Sequence, residues 1–157
     1  MSNYIQTGAG NDVIITAGGL NTILSGYKGN DYIYAIGLSN IIHAGHGDNR
    51  IFVLGKLNQI ISGQGDSEIY AIGLGNIILA GDGRNEIWAL GGANFIKTGS
   101  GKDIIIAAAI GNMIKFNAEI ILSLLLRKVI LSGLGVATTA SLLLRKPISL
   151  WLETVII

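Results

Sequence analysis

Two columns of isoleucine run through this sequence, and the residues on either side of each isoleucine alternate in character. The first column contains Ile14, Ile33, Ile51, Ile69, Ile87 and Ile105, and the second contains Ile23, Ile42, Ile60, Ile78, Ile96 and Ile114. Within each column the spacing is 18 residues, or 19 once. Alternation with a period of two predicts one short β-strand around each isoleucine, with the isoleucine facing inward.

Glycine and asparagine keep the same period as isoleucine. The glycine column is Gly8, Gly26, Gly45, Gly63, Gly81 and Gly99, and the asparagine column is Asn21, Asn40, Asn58, Asn76, Asn94 and Asn112. Twelve nine-residue units, each a strand and a turn, tile residues 7–115 with one inserted residue near Lys28, and residues 3–6 look like the end of a thirteenth. Two strands per 18 residues predict an all-β fold, a right-handed parallel β-solenoid of about six coils with both isoleucine columns inside. One coil cannot bury its own apolar face, so the coils must stack.

Composition removes several other classes of protein. The chain has 157 residues, of which 50% are apolar and 13% charged, with 23 glycines, one proline and no cysteine. High hydropathy excludes a disordered chain, the proline count excludes collagen, and the lack of cysteine excludes disulfides and cysteine metal sites. A net charge of +1 gives no electrostatic footprint for nucleic acid, so no nucleic-acid partner is expected.

The turns of the first-half units resemble the nonapeptide Gly-Gly-x-Gly-x-Asp-x-U-x of RTX (repeats-in-toxin) proteins. The segments that carry the resemblance are Gly8-Ala-Gly-Asn-Asp-Val-Ile, Gly29-Asn-Asp-Tyr-Ile, Gly45-His-Gly-Asp-Asn-Arg-Ile, Gly81-Asp-Gly-Arg-Asn-Glu-Ile and Gly99-Ser-Gly-Lys-Asp-Ile-Ile. The resemblance covers residues 3–115 in a degenerate form. It implies a β-roll that binds Ca²⁺ in its turns, within a protein that is secreted through an uncleaved C-terminal signal and folds outside the cell.

The sixth position of each unit decides how much calcium we expect. In RTX repeats an aspartate at this position and backbone carbonyls supply the calcium ligands, whereas here the twelve positions hold three aspartates, eight asparagines and Ser67. Stacked asparagines about 4.8 Å apart can hydrogen-bond along their column, but stacked aspartates repel unless a cation lies between them. We therefore expect calcium as a cofactor at reduced occupancy, chiefly between Asp12 and Asp31. The predicted metal-site residues are Gly8, Gly10, Asp12, Gly29, Asp31 and Asp103.

Two columns that should face water are largely apolar. On the first-half sheet the column reads Ile15, Tyr34, Phe52, Tyr70, Trp88 and Ile106, and on the second-half sheet it reads Thr22, Ile41, Gln59, Ile77, Phe95 and Met113. Such stripes mark interaction surfaces, so we expect self-association through these faces, or through open coil ends, or docking to a hydrophobic partner. Alternatively, the C-terminal tail covers one stripe, and the aromatic column only stiffens its sheet.

Catalysis is not expected. His46 lies two residues before Asp48 in a turn, without a nearby serine or second histidine, and is interpreted as a surface residue. Glu68 and Glu86 stack one coil apart on an open wall that offers no cleft for acid–base chemistry.

The repeat stops after Lys115, so the predicted domains are a β-roll over residues 1–115 and an atypical apolar tail over 116–157. In the tail, Ser123-Leu-Leu-Leu-Arg-Lys128 recurs as Ser141-Leu-Leu-Leu-Arg-Lys146, at the offset of 18. One interpretation is a capping helix over Ala118 to Ser132. Another is an out-of-frame continuation of the repeat, because residues 133–144 can be back-translated into a unit resembling Gly45 to Val53; the nucleotide sequence tests this. A membrane span is not expected, because charged pairs interrupt each apolar run.

Three functions remain open. The first is a non-catalytic extracellular β-roll, structural or adhesive, with weak calcium binding. The second is a fragment of a larger secreted RTX protein, which a start in mid-coil favours, and the third is a filament-forming solenoid. Residues 1–20 lack the features of a signal peptide. The ending Glu153-Thr-Val-Ile-Ile157 resembles the acidic-then-apolar end of some RTX secretion signals.

Overall fold

The structure is a computed structural model that describes residues 1–117 in full and residues 120–126, 129–133, 137–144 and 149–150 by their backbone. The strands are β1 (Ser2–Gln6), β2 (Val13–Ala17), β3 (Leu20–Leu24), β4 (Tyr32–Ile36), β5 (Ser39–Gly45), β6 (Arg50–Leu54), β7 (Leu57–Ser62), β8 (Glu68–Leu79), β9 (Glu86–Lys97), β10 (Asp103–Phe116), β11 (Ile120–Leu126), β12 (Val129–Gly133), β13 (Ala137–Leu144) and β14 (Ser149–Leu150). The predicted all-β parallel solenoid is confirmed.

All strand pairs in the described part of the chain are parallel, and each joins one coil to the next. One wall follows the order β1, β3, β5, β7 and then the second half of β8, while the other follows β2, β4, β6 and then the first half of β8. The pairing repeats the sequence period: Ile51 pairs with Ile69, and Ile69 with Ile87. Each residue therefore lies over the residue at the same position of the neighbouring coil.

The core consists of the two isoleucine columns together with smaller apolar residues beside them on the same strands. All twelve column isoleucines are at most 4% exposed, and they belong to one buried cluster. Ala35, Val53, Ala71, Ala89 and Ala107 fill the space beside them. Burying an isoleucine side chain contributes about 1.5–3 kcal/mol before chain entropy is counted, so the core depends on the number of stacked coils.

Two details of the coils depend on local sequence. The inserted residue near Lys28 lengthens one turn, and Lys28 rejoins the stack through an isolated bridge to His46. The predicted two short strands per coil hold for the early coils, but in β8, β9 and β10 both halves form one strand that continues around the second-half corner. There the ladder runs through Ile72↔Leu90 and Gly73↔Gly91, skips Leu74 and Gly92, and resumes at Gly75↔Ala93.

The described parts of the tail continue the stack as strands. β11 and β12 pair with β10, which contradicts a capping helix over Ala118 to Ser132. The two similar tail segments align at their own offset, with Ser123 opposite Ser141. No helix in the described residues has the length and hydropathy to span a bilayer. The segment Glu153 to Ile157 lies outside the described residues, and the domain boundary at Lys115 and the out-of-frame origin of the tail stay predictions.

Candidate calcium site and asparagine ladders

A continuous ladder of asparagine side chains closes the second-half edge of the solenoid. From Asn3 to Asn112, each Nδ2 donates to the Oδ1 of the asparagine in the next coil, at 2.7–2.9 Å. Most of these amides also donate to a backbone carbonyl; Asn58 Nδ2, for example, lies 3.1 Å from Ile72 O. The ladder stops at Asn112, whose buried Nδ2 has no partner because Val129 occupies the matching position of the next coil. The predicted asparagine stack is thus confirmed, and no carboxylate lies in it.

The first-half edge uses its sixth-position side chains in a different way. Here the backbone N–H of each sixth residue donates to the side-chain oxygen of the sixth residue one coil further on. The series runs from Asp12 N–H to Asp31 Oδ1 at 2.9 Å, then through Asn49, Ser67 and Asn85 to Asp103 Oδ1. Any residue with an acceptor oxygen can take this role, which explains why aspartate, asparagine and serine share one column.

Where the sixth residue is asparagine, its amide also binds the glycine carbonyls of its own turn. Asn49 Nδ2 donates to the carbonyl oxygens of Gly45 and Gly47 at 3.3 and 3.2 Å. Asn85 Nδ2 donates in the same way to Gly81 O at 3.0 Å and Gly83 O at 3.4 Å. An amide donor therefore satisfies these turn carbonyls without a cation.

Where the sixth residue is aspartate, no such donor exists, and one carboxylate oxygen is left over. Asp12 Oδ2, Asp31 Oδ2 and Asp103 Oδ2 are all buried and have no hydrogen-bond partner. Burial raises the pKa of Asp103 above its ordinary value of 3.8. A buried anionic oxygen without a partner is costly, and a bound cation would remove that cost.

The turns around Asp12 and Asp31 can accommodate such a cation. The two aspartates lie in adjacent coils. An open groove of ≈ 410 Å³ borders Asp31 but not Asp12, and it is also lined by Asp48, Asp66 and the cationic Arg50. Gly29 stacks directly on Gly10, so closely that a Cβ atom on Gly29 would overlap the Gly10 carbonyl oxygen. Carboxylate and carbonyl oxygens are the ligands that Ca²⁺ prefers, so these residues fit the ion by their chemistry.

Other predicted site residues fit less well. Asp103 lies four coils beyond Asp31 along the sixth-position column and pairs with Ile120, which offers no carboxylate. Gly8 lies in the first turn, where a Cβ atom added to it would have no neighbour within 4 Å, whereas Gly26 stacks on it in the second coil. Gly26 was missing from the predicted set, although it shares the column of Gly8. In the described part of the chain, no three His, Asp or Glu side chains converge as a preformed metal cluster.

A third ladder, on the turn surface, was not predicted from the sequence. Asn11, Asn30, Asp48 and Asp66 each accept the backbone N–H of the fifth residue of the following first-half unit at 2.7–2.8 Å. The recurrence of Asn and Asp at this position was the available signal. His46 acts similarly, since its Nδ1 accepts the N–H of Gln64 at 2.8 Å. The imidazole therefore links two neighbouring coils through this hydrogen bond.

Stacked 18-residue coils with glycine-rich turns and acceptor side chains at the sixth position define a β-roll of nonapeptide repeats. Residues 2–26, 16–35 and 72–108 match the family of the RTX calcium-binding nonapeptide repeat (4 copies). The chain belongs to this RTX repeat family, whose repeats bind calcium and are typical of secreted proteins. No curated protein and no solved structure gives a significant match to the chain.

Proposed function

We propose that this protein is a non-catalytic extracellular β-roll, structural or adhesive in role, whose fold depends on amide ladders rather than on a full set of calcium ions. The observation that carries the proposal is the amide of Asn49 and of Asn85, which binds the glycine carbonyls of its own turn. Seven stacked asparagines complete the opposite edge. The second-half edge is therefore neutral and hydrogen-bonded throughout, and the first-half edge has a neutral sixth residue in three of its six units, Asn49, Ser67 and Asn85.

Calcium keeps a local role in this proposal. Asp12 and Asp31 would hold the ion with carbonyl oxygens of the turns that contain Gly10 and Gly29. The bound ion would supply the positive charge that the two buried carboxylate oxygens lack, and it would tie the first coil to the second. Asp103 is a weaker position because no second carboxylate lies beside it among the described residues.

Circular dichroism in the presence of a chelator tests the proposal. We expect the β-sheet spectrum to persist in EGTA, because the ladders need no cation. Calorimetric titration with Ca²⁺ should detect about one ion, and the double variant Asp12→Asn/Asp31→Asn should remain folded and lose that binding. Asp82→Asn is the matched control, since Asp82 is an exposed turn carboxylate whose Oδ1 accepts the Ser100 N–H.

The buried oxygens of Asp12, Asp31 and Asp103 favour a second candidate, the calcium-folding module of a larger secreted protein. Such a module is unfolded in chelator and gains its β-sheet spectrum only when Ca²⁺ is added. A chain that is unfolded in EGTA would therefore reject the first candidate in favour of the second. If the chain folds in EGTA but does not bind Ca²⁺, the result would support the amide-ladder fold and contradict the proposed calcium site.

A further inference from the structure

One outer face of the solenoid carries an aromatic ridge, formed by Tyr34, Phe52, Tyr70 and Trp88. Backbone pairing places one ring per coil in a single row. The centroids of Tyr34 and Phe52 are 5.0 Å apart and those of Tyr70 and Trp88 are 5.8 Å apart, and both pairs are stacked. Side chains stand roughly perpendicular to a sheet, so the rings form a raised line that runs along the solenoid axis.

The opposite wall carries an apolar trough that runs in the same direction. Its floor is the fifth-position column, which is reduced to Gly75, Ala93 and Gly111 in the later coils. Its side is the seventh-position column, where Ile77 is 46% exposed and Met113 is 38% exposed. The trough has a volume of ≈ 670 Å³ and crosses five coils. Both features repeat once per coil, about every 4.8 Å, so one can follow the other along its whole length.

The charges beside the two features are opposite. Within residues 1–117 the first-half units carry eight carboxylates and four cationic side chains, whereas the second-half units carry three lysines and no carboxylate. Arg50, Glu68 and Glu86 flank the ridge in register. Arg50 pairs with Glu68 at 2.6 Å, and Trp88 donates its indole N–H to Glu86 at 2.9 Å, so Glu68 has a cationic partner whereas the ridge contact of Glu86 is with a neutral donor. Burial, with a further contribution from these carboxylates, raises the pKa of Tyr70. Lys97 and Lys115 lie on the same strand face as the trough, two residues after Phe95 and Met113, and neither forms an ion pair with the residues that the structure describes.

We propose that the aromatic ridge of one copy of this protein packs into the apolar trough of a second copy. The period, shape and charge of the two surfaces match, and aromatic anchors in pockets dominate the energy of most protein interfaces. Because ridge and trough lie on different walls, the contact is heterologous and leaves one free surface of each kind on every pair. Copies therefore add side by side in open rows, which do not close into a dimer.

Sedimentation of the full chain over a range of concentrations tests this assembly. We expect the weight-average mass to rise beyond that of a dimer. Tyr70→Lys in the ridge and Ile77→Lys in the trough should each raise the concentration needed for assembly by at least about tenfold. Leu38→Lys is the control, because Leu38 is 59% exposed at a corner outside both surfaces and its replacement should leave assembly unchanged.

Mixing the two variants gives the sharpest readout. Tyr70→Lys keeps its trough and Ile77→Lys keeps its ridge, so the mixture should form one-to-one heterodimers that do not grow. If either variant lacks the wild-type circular dichroism spectrum, Glu86→Lys, at a half-buried position beside the ridge, and Lys97→Glu, at an exposed position, are mixed in the same way. A chain that stays monomeric at high concentration overturns the proposal. Assembly unaffected by the ridge and trough variants also overturns it, and would indicate stacking at coil ends.

Discussion

At the scale of the residue, exchange of aspartate for asparagine changes what holds neighbouring coils together. An aspartate offers only acceptors, so one of its buried carboxylate oxygens has no hydrogen-bond partner unless a cation binds. An asparagine offers an acceptor and a donor, so it satisfies the turn carbonyls by itself, as Asn49 and Asn85 do. A turn can therefore lose its calcium without leaving a buried polar atom unpaired.

The asparagine ladder yields a prediction at its centre. Asn58→Ala removes two donated bonds, to Asn76 Oδ1 and Ile72 O, and also the acceptor of Asn40 Nδ2. We expect the free energy of unfolding to fall by about 2–4 kcal/mol, because buried partners lose their bonds. Urea denaturation followed by circular dichroism measures the change. Gln59→Ala is the neighbouring control, since Gln59 faces outward, and a similar loss in both variants would argue against the ladder.

Asp103 gives the opposite prediction. In EGTA at pH 7 we expect Asp103→Asn to stabilise the protein by about 1–2 kcal/mol, because the amide gains bonds to its turn carbonyls and removes a buried charge. Burial raises the pKa of Asp103, so the folded state holds its proton more tightly than the unfolded state does. Wild-type stability therefore falls as the pH rises from below 3.8 through the folded-state pKa.

Denaturation of both proteins across this pH range checks the sign of the effect. The advantage of the Asp103→Asn variant should shrink as the pH falls and the carboxyl becomes protonated in both states. An advantage that grows at low pH would contradict the assignment of a raised pKa to Asp103.

At the scale of the element, glycine sets how closely two turns can approach. Gly65 has a φ of +131°, and a Cβ atom there would overlap the carbonyl oxygen of Gly47 in the coil before. Gly10 has a similar φ of +125°, but no atom lies within 4 Å of the space where its Cβ would stand. A comparison of substitutions at these two glycines separates the cost of backbone strain from the cost of close stacking between coils.

We therefore expect Gly10→Ala to cost about 1–3 kcal/mol, the range for a side chain in a backbone region that only glycine favours. Gly65→Ala should cost clearly more, because the two coils must also move apart. Urea denaturation of the pair measures the difference. Equal losses would show that the turns relax easily and that close stacking contributes little.

The sequence was informative about these elements where a residue type recurs without exception. Isoleucine at one position of twelve units located each strand and its buried face. The same period places Arg50 one coil from Glu68, and their side chains meet at 2.6 Å. The single long strand of β9 was not predicted, because Gly91 and Gly92 suggest a turn, whereas the backbone ladder includes Gly91, skips Gly92 and resumes at Ala93. Which backbone N–H reaches Asp31 depends on side-chain direction within a turn, and the order of residues does not reveal that.

At the scale of the whole molecule, the candidate site was only partly predictable. The column arithmetic brought Asp12 and Asp31 together, as the structure does. The prediction also included Asp103, which shares their column but lies four coils beyond Asp31. The difference in charge between the two walls comes from many residues together. It can be counted only after each half of the coil has been assigned to a wall.

The pairing between adjacent coils has a consequence for how the chain folds. In the described pairs, bonded strands are joined through residues only 17 to 19 positions apart, from Ser2↔Leu20 to Ile130↔Ser149. Such short separations make this a nearest-neighbour system, in which a finished coil is the template for the one that follows. Once the first pair of coils has formed, further coils add to it one at a time. The slow step is the formation of that first pair. It takes place at the two adjacent coils that have the most stable interface with each other.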